Sequence, residues 1–204
     1  MALDPNSAMT HYYAASALLP LGRFADALGH ARTAVRLAPT QAEFATAVAL
    51  VLVYMGRAEE AEHAARAAYA LDSTYTYALT VLGDALRHDK RPREALDAYA
   101  RRGPGQTGYD LVGPALARVQ LGQPDEARRA ATELLALGTR QNVPEDAVAM
   151  IYAHLGDRDR AFDWLQRAFA SRSAALVSLA TDPDWAPIRT DPRFERLRAR
   201  VSMR

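Results

Sequence analysis

The run Gly103-Pro104-Gly105-Gln106-Thr107-Gly108 matches, letter for letter, the GxGxxG pattern that cradles a dinucleotide pyrophosphate. That chemistry needs a strand before the loop, a tight turn, and a following helix whose N-terminal amides receive the phosphate. Here a helical pattern precedes the loop, and Pro104 removes one of the amides. The run also fails as a Walker loop, because Tyr109 stands where Lys is required. It is expected to be a linker. The histidines His11, His30, His63, His88 and His154 are never three or four residues apart, as two zinc ligands on one helix would be. No serine sits in a GxSxG elbow. The acidic pairs Glu59-Glu60 and Asp125-Glu126 fall at expected helix starts, where negative charge suits the helix dipole. Cysteine is absent, which removes disulfides, thiolate nucleophiles and Cys-based zinc sites together. The reading is therefore not an enzyme, with no metal and no cofactor.

The elements that must position any site are helices. Apolar residues fall three and four apart in Ala14, Ala15 and Leu18, and again in Val48, Ala49 and Leu52. Each such helix ends at a glycine, Gly22 or Gly56, and a second follows over Arg23–Leu37 or Arg57–Leu71. Strand signals are missing, so the fold class is all-α. The pattern repeats. Leu3-Asp4-Pro5, Leu37-Ala38-Pro39 and Leu71-Asp72-Ser73 recur at steps of 34 residues, as do Ala27, Ala61 and Ala95. After a slip to 32 the step of 34 resumes, from Gly122 to Gly156 and from Ala127 to Ala161. Small residues mark matching points of five first helices: Ala15, Ala49, Gly83, Ala115 and Ala149. Small side chains let helices approach closely, so repeating them repeats the packing geometry. A fixed period of this length means one helix pair stacked on copies of itself, with an extended surface suited to binding.

The net charge of +1 gives no bulk electrostatic reason to expect a polyanion. Lys90 is the only lysine among 25 basic residues. Met1–Asn6 lacks the basic and apolar regions of a signal peptide, and a cytoplasmic location is expected. The longest apolar run, Ala47–Met55, is less than half of the roughly 20 residues a membrane span needs. It reads as a helix buried on most sides of a stack. The Arg-rich end, Arg189–Arg204, is diluted by Asp191 and Glu195 and reads as a solvated face. No membrane contact and no direct nucleic-acid binding are expected.

The period, the small residue of the first helix, the Ala of the second and the closing Pro resemble the tetratricopeptide repeat. The resemblance covers about Leu3–Ser171 and implies a right-handed α-solenoid of antiparallel helix pairs. Five units are expected at about 7–40, 41–74, 75–103, 108–140 and 142–171, with a C-terminal cap over 172–204. The family's large aromatic near the start of each unit is replaced here by His11, Ala45 and Leu79. The fourth unit departs most: Arg118 takes an apolar place, and Gly113-Pro114 falls inside the expected first helix. A proline there costs ~3 kcal/mol or more if a helix runs through it. A short helix beginning near Pro114, after an irregular joint from Arg102, is expected.

In the resembled fold the first helices line a concave groove. Helical spacing then places Met9, Tyr12, Ser16 and Leu19 there, followed by Glu43, Thr46, Leu50, Val53 and Tyr54. Tyr77, Thr80, Asp84, Arg87 and His88 follow, then Tyr109, and from the fifth unit Asp146, Met150 and His154. Family members that clamp a peptide's terminal carboxylate use Lys and Arg in this region. This groove offers Arg87 and no Lys, so that specificity is not carried over. Tyrosine and aliphatic surface with a few acids suits a helix or an extended peptide of another protein.

The stretch from Ile151 to Leu165, with Asp182-Pro183-Asp184-Trp185 and Ile188–Phe194, resembles the end of repeat regions in bacterial winged-helix regulators, adenylate cyclase-like proteins and serine/threonine kinases. Both Asp-Pro pairs read as capped helix starts. The opening Leu3-Asp4-Pro5 is a closing boundary with almost no repeat before it, so truncation of a longer protein is expected. The expected function is a non-catalytic protein–protein interaction scaffold, as the C-terminal module of a bacterial regulatory protein. Two other readings stay open: a self-associating homo-oligomer using the N-terminal face and the Ala47–Met55 helix, and, remotely, a nucleotide-binding enzyme using the 103–108 loop.

Overall fold

A computed structural model describes residues 6–103, 108–138 and 144–202. Among them there is no strand. The chain divides into two compact units, Met1–Gly103 and Pro104–Arg204. The first holds α1 (Ala8–Leu18), α2 (Phe24–Leu37), α3 (Ala42–Tyr54), α4 (Ala58–Leu71), α5 (Tyr77–His88) and α6 (Pro92–Arg102). The second holds α7 (Val112–Gln120), α8 (Pro124–Gly138), α9 (Glu145–His154), α10 (Arg158–Ala170) and α11 (Pro192–Ser202). Short 3-10 helices lie at Gly108–Leu111, Ala174–Ser178 and Pro183–Ile188. No helix among the described residues is long and apolar enough to cross a membrane.

In the first unit each odd-numbered helix packs on the even one that follows, and α3 also touches α1, α2 and α5. Four neighbours explain the apolar run read from the sequence: Val51, Leu52 and Val53 are all buried. The small-residue positions are the points of closest packing, with Ala27, Ala49, Ala61 and Ala95 fully covered. At Gly83 the contact is close enough to exclude a side chain. A Cβ built there would lie 2.3 Å from Cε1 of Tyr99, so the α6 ring rests directly on the α5 backbone.

The glycine that closes the first helix of a pair has a backbone cause. After α3, Gly56 has φ of 71°, its N–H bonds to the Val53 carbonyl, and the Arg57 N–H reaches back to Leu52. This is a Schellman-type stop, in which a left-handed residue lets two orphan carbonyls be satisfied. After α5 the same hydrogen bonds form around Lys90, whose φ is 61°. The only lysine therefore occupies a place suited to glycine.

The second unit opens irregularly. A 3-10 helix spans Gly108–Leu111, and α7 starts only at Val112. Pro114 falls in the first turn of α7, where a missing N–H leaves no hydrogen bond unmade. Helix formation thus begins two residues before the expected point. Pro104–Thr107, the centre of the glycine-rich run, lies outside the described residues, as does Leu3-Asp4-Pro5.

Beyond α10 the chain lays apolar side chains back on the last helix pair. Leu176, Leu179, Trp185, Ile188, Phe194 and Leu197 join Phe162, Leu165 and Phe169 in one core. Both Asp-Pro starts are capped, with Asp182 accepting from the Asp184 N–H and Asp191 from the Arg193 N–H. The first opens a 3-10 helix and the second the α-helix α11. Guanidinium groups then cover the aromatic faces: Arg193 stacks 4.3 Å from the Phe162 ring centre and Arg200 4.2 Å from that of Phe169.

Candidate functional site

The first helices of the first unit enclose a small cleft of about 90 Å³. Tyr12, Ser16 and Leu19 reach it from α1, Glu43, Thr46 and Leu50 from α3, and Tyr77 from the start of α5. All seven belong to the residues that helical spacing placed in a groove. Ala15, Ala47 and Val51 close the back, their small or β-branched side chains leaving room for the rings.

Tyr75 completes the cleft and was not predicted. It lies in the link before α5, where helical periodicity does not reach. Asp72 sets that link: its carboxylate accepts from the N–H (2.8 Å) and the hydroxyl (2.6 Å) of Thr74. The Tyr75 N–H then bonds to the Asp72 carbonyl and the Ala78 N–H to the Tyr75 carbonyl. A fixed turn thus aims Tyr75 and Tyr77 together, their rings 6.3 Å apart and at 79° to each other.

Glu43 governs the electrostatics. The Tyr12 hydroxyl donates to it, and burial followed by the Glu43 charge pushes the Tyr12 pKa up to about 12. Burial and then Glu43 also raise Tyr75. Tyr77 is raised as well, first by desolvation of its hydroxyl and then by Asp84, although the residue as a whole is 43% exposed. All three therefore remain neutral phenols in ordinary buffers. Among the described residues no Lys, Arg or His lines the cleft and no ion pair engages Glu43.

The remaining predicted residues lie elsewhere. Met9 is exposed on α1, and Tyr54 packs edge-on against Phe24. Within the cleft itself, the Thr46 hydroxyl is buried and bonds back to the Ala42 carbonyl. Val53 and Arg87 are buried too, so neither offers free surface. The reason is the stack itself, in which a helix is covered on more than one face. Arg87 serves an internal network instead: Tyr99 donates to Asp84 at 2.7 Å, Arg87 lies 3.6 Å from the same carboxylate, and His88 is 3.3 Å from Arg87. Thr80 adds a buried hydroxyl with no partner among the described residues.

Tyr109, Asp146, Met150 and His154 belong to the second unit. The Tyr109 hydroxyl donates to both oxygens of Asp146 at 2.9 Å, and Ser173 donates to the same carboxylate at 3.1 Å. Burial raises the pKa of Asp146 despite these donors. The His154 ring bonds to the Asp184 carbonyl at 2.9 Å, and Met150 packs against the core. These groups hold the unit together. Among the described residues no cluster of three or more His, Cys, Asp or Glu could hold a metal.

The comparisons with known proteins agree with this geometry. Residues 46–108 match the tetratricopeptide repeat family model. No curated protein sequence matches the chain. Among solved structures, a thermophilic tetratricopeptide repeat protein of Thermus thermophilus superposes with a TM-score of 0.67 at 18% identity, covering 97% of this chain and 100% of that one. PilF of Pseudomonas aeruginosa gives 0.60 at 18% identity over 96% of this chain and 89% of its own. A Rap protein complexed with competence and sporulation factor gives 0.62 at 14% identity over 96% and 64%. Residues 46–108 thus carry tetratricopeptide repeat sequence, and the chain has the stacked helix-pair fold of tetratricopeptide repeat proteins.

Proposed function

We propose that this chain is a non-catalytic scaffold that binds a peptide or helix of another protein through the first helices of its first unit. The observation that carries this reading is the cleft, where Tyr12, Leu19, Glu43, Leu50 and Tyr77 converge from three successive helix pairs. Neutral tyrosines beside aliphatic side chains give large, stiff contact area with a polar tip, which suits peptide recognition. The fold supports it further: a Rap protein of the same architecture is seen complexed with competence and sporulation factor. The five-unit division with a C-terminal cap belongs to this reading. So does a place in a bacterial regulatory protein, supported by the likeness of the 151–194 stretch to the ends of repeat regions in such regulators.

The test is a random-peptide display library selected on the intact chain. Enriched sequences should lose binding at least tenfold to the Tyr12→Ala, Tyr77→Ala double variant, with its melting temperature nearly unchanged. Enrichment that the double variant retains, or a library that never enriches, overturns the reading. Light scattering on the same samples addresses self-association, which predicts a dimer mass that Leu50→Glu lowers.

A further inference from the structure

The cleft has a chemistry narrower than peptide binding in general. Tyr12 from α1, and Tyr75 and Tyr77 from the link and the start of α5, line the cleft together with Glu43, and among the described residues no cation lines the space. Aromatic faces carry negative quadrupole potential, so a ring cluster attracts a cation placed against it. Glu43 adds a full negative charge at the same point. The partner it holds is the Tyr12 phenol, a neutral donor that leaves the charge uncompensated. Beyond the lining, Asp84 raises the Tyr77 pKa more strongly than Arg102 lowers it.

Size and shape narrow the ligand. Small-molecule sites usually occupy about 300–1,000 Å³, whereas this cleft offers about 90 Å³. That is room for the tip of one side chain. Tyr75 and Tyr77 stand nearly perpendicular, so a flat group stacked on one ring meets the edge of the other. A planar guanidinium stacks on aromatic faces and presents forked donors to a carboxylate; an ammonium does neither.

Resting on the peptide-binding reading above, we infer that the Tyr12–Tyr75–Tyr77–Glu43 cleft receives an arginine side chain of the bound peptide. The ring faces hold the guanidinium plane, Glu43 takes its N–H groups, and Leu50 lies along the aliphatic stem. This is the reverse of a carboxylate clamp: the groove supplies the anion and the ligand the cation.

The probe is N-acetyl-arginine methylamide, titrated into the intact chain while the ring protons of Tyr12, Tyr75 and Tyr77 are followed by NMR. Its citrulline counterpart has nearly the same shape without the charge. The expected result is saturable shifts of all three tyrosines with the arginine probe, weakened at least tenfold for citrulline and at least tenfold in Glu43→Gln. Glu43→Gln keeps the size of the side chain, and an unchanged melting curve shows that its fold is intact. Equal affinity for the two probes, shifts confined to other residues, or no shifts at all overturn the inference. The peptide-binding reading is judged separately by the display library. Library peptides that depend on Tyr12 and Tyr77 but carry no arginine requirement would keep that reading and sink this one.

Discussion

Tyr77 and Tyr109 occupy one register position in the repeat, separated by the shortened step of 32 residues, yet the two units use them differently. In the first unit Tyr77 lines the cleft that Glu43 also lines. In the second, Tyr109 is bound to Asp146, and Ser173, just beyond α10, bonds to the same carboxylate. One register position thus lines a cleft in the first unit and joins an internal hydrogen-bond set in the second. The contrast extends to the apolar surface. The first unit's rings line its small cleft, whereas in the second Trp185, Ile188, Phe194 and Leu197 pack on the last helix pair and leave a wider opening beside Phe169, Leu176 and Val201.

The largest effect that would sharpen this comparison comes from Trp185→Ala. Trp185 is 3% exposed within the core shared by α9, α10 and the tail. Removing a buried tryptophan side chain costs about 3–5 kcal/mol through lost transfer energy and the cavity left behind. Hydrogen exchange should speed up across α9, α10 and α11 while α3 and α4 stay protected. Equal acceleration in both units would mean that the tail does not act locally, and the contrast drawn from its packing on the last helix pair would fail.

Gly83→Ala should do the converse. A methyl group there meets the Tyr99 ring at 2.3 Å, and that ring is also fixed by its hydrogen bond to Asp84. Overpacking of this kind costs about 1–3 kcal/mol. Denaturant melts should show the loss, with faster exchange confined to α5 and α6. A variant as stable as the parent would mean that the ring can swing away and that the small-residue register is not a packing requirement at this pair.

Much of this architecture was legible because it depends on local rules. Helix starts at Pro92 and Pro124, the glycine stops, and the alanine contacts follow from backbone geometry and close packing, which a sequence displays directly. Seven cleft residues were legible too, because helical spacing keeps one face together. The same spacing misplaced Val53 and Arg87, since a helix in a stack has buried positions on several faces and periodicity does not distinguish a groove from an inter-pair seam. Tyr75 was missed for a different reason. Its position depends on an Asp72–Thr74 turn outside any helix, and the turn residues alone do not say which way the ring points. The Tyr109–Asp146–Ser173 set links positions 37 and 27 residues apart, which no local pattern could pair.

The smallest effect concerns the turn after α5, which, among the described turns closing the first helix of a pair, lacks glycine. Gly22, Gly56, Gly122 and Gly156 all adopt positive φ, and Lys90 adopts it without being glycine. At Gly56 a Cβ would meet nothing within 4 Å, so conformation rather than space is what favours glycine in this turn. A left-handed conformation costs an L-residue roughly 1–2 kcal/mol, offset in part by the extra chain entropy glycine loses on folding. Lys90→Gly should therefore stabilise the first unit by about 0.5–1 kcal/mol. Gly56→Lys should destabilise the same unit by a comparable amount. Opposite shifts in the denaturation midpoint would show that the third helix pair carries a removable local strain. If Lys90→Gly instead lowers the midpoint, the lysine side chain contributes more than its backbone costs, and the turn after α5 differs from its counterpart after α3 in more than residue type.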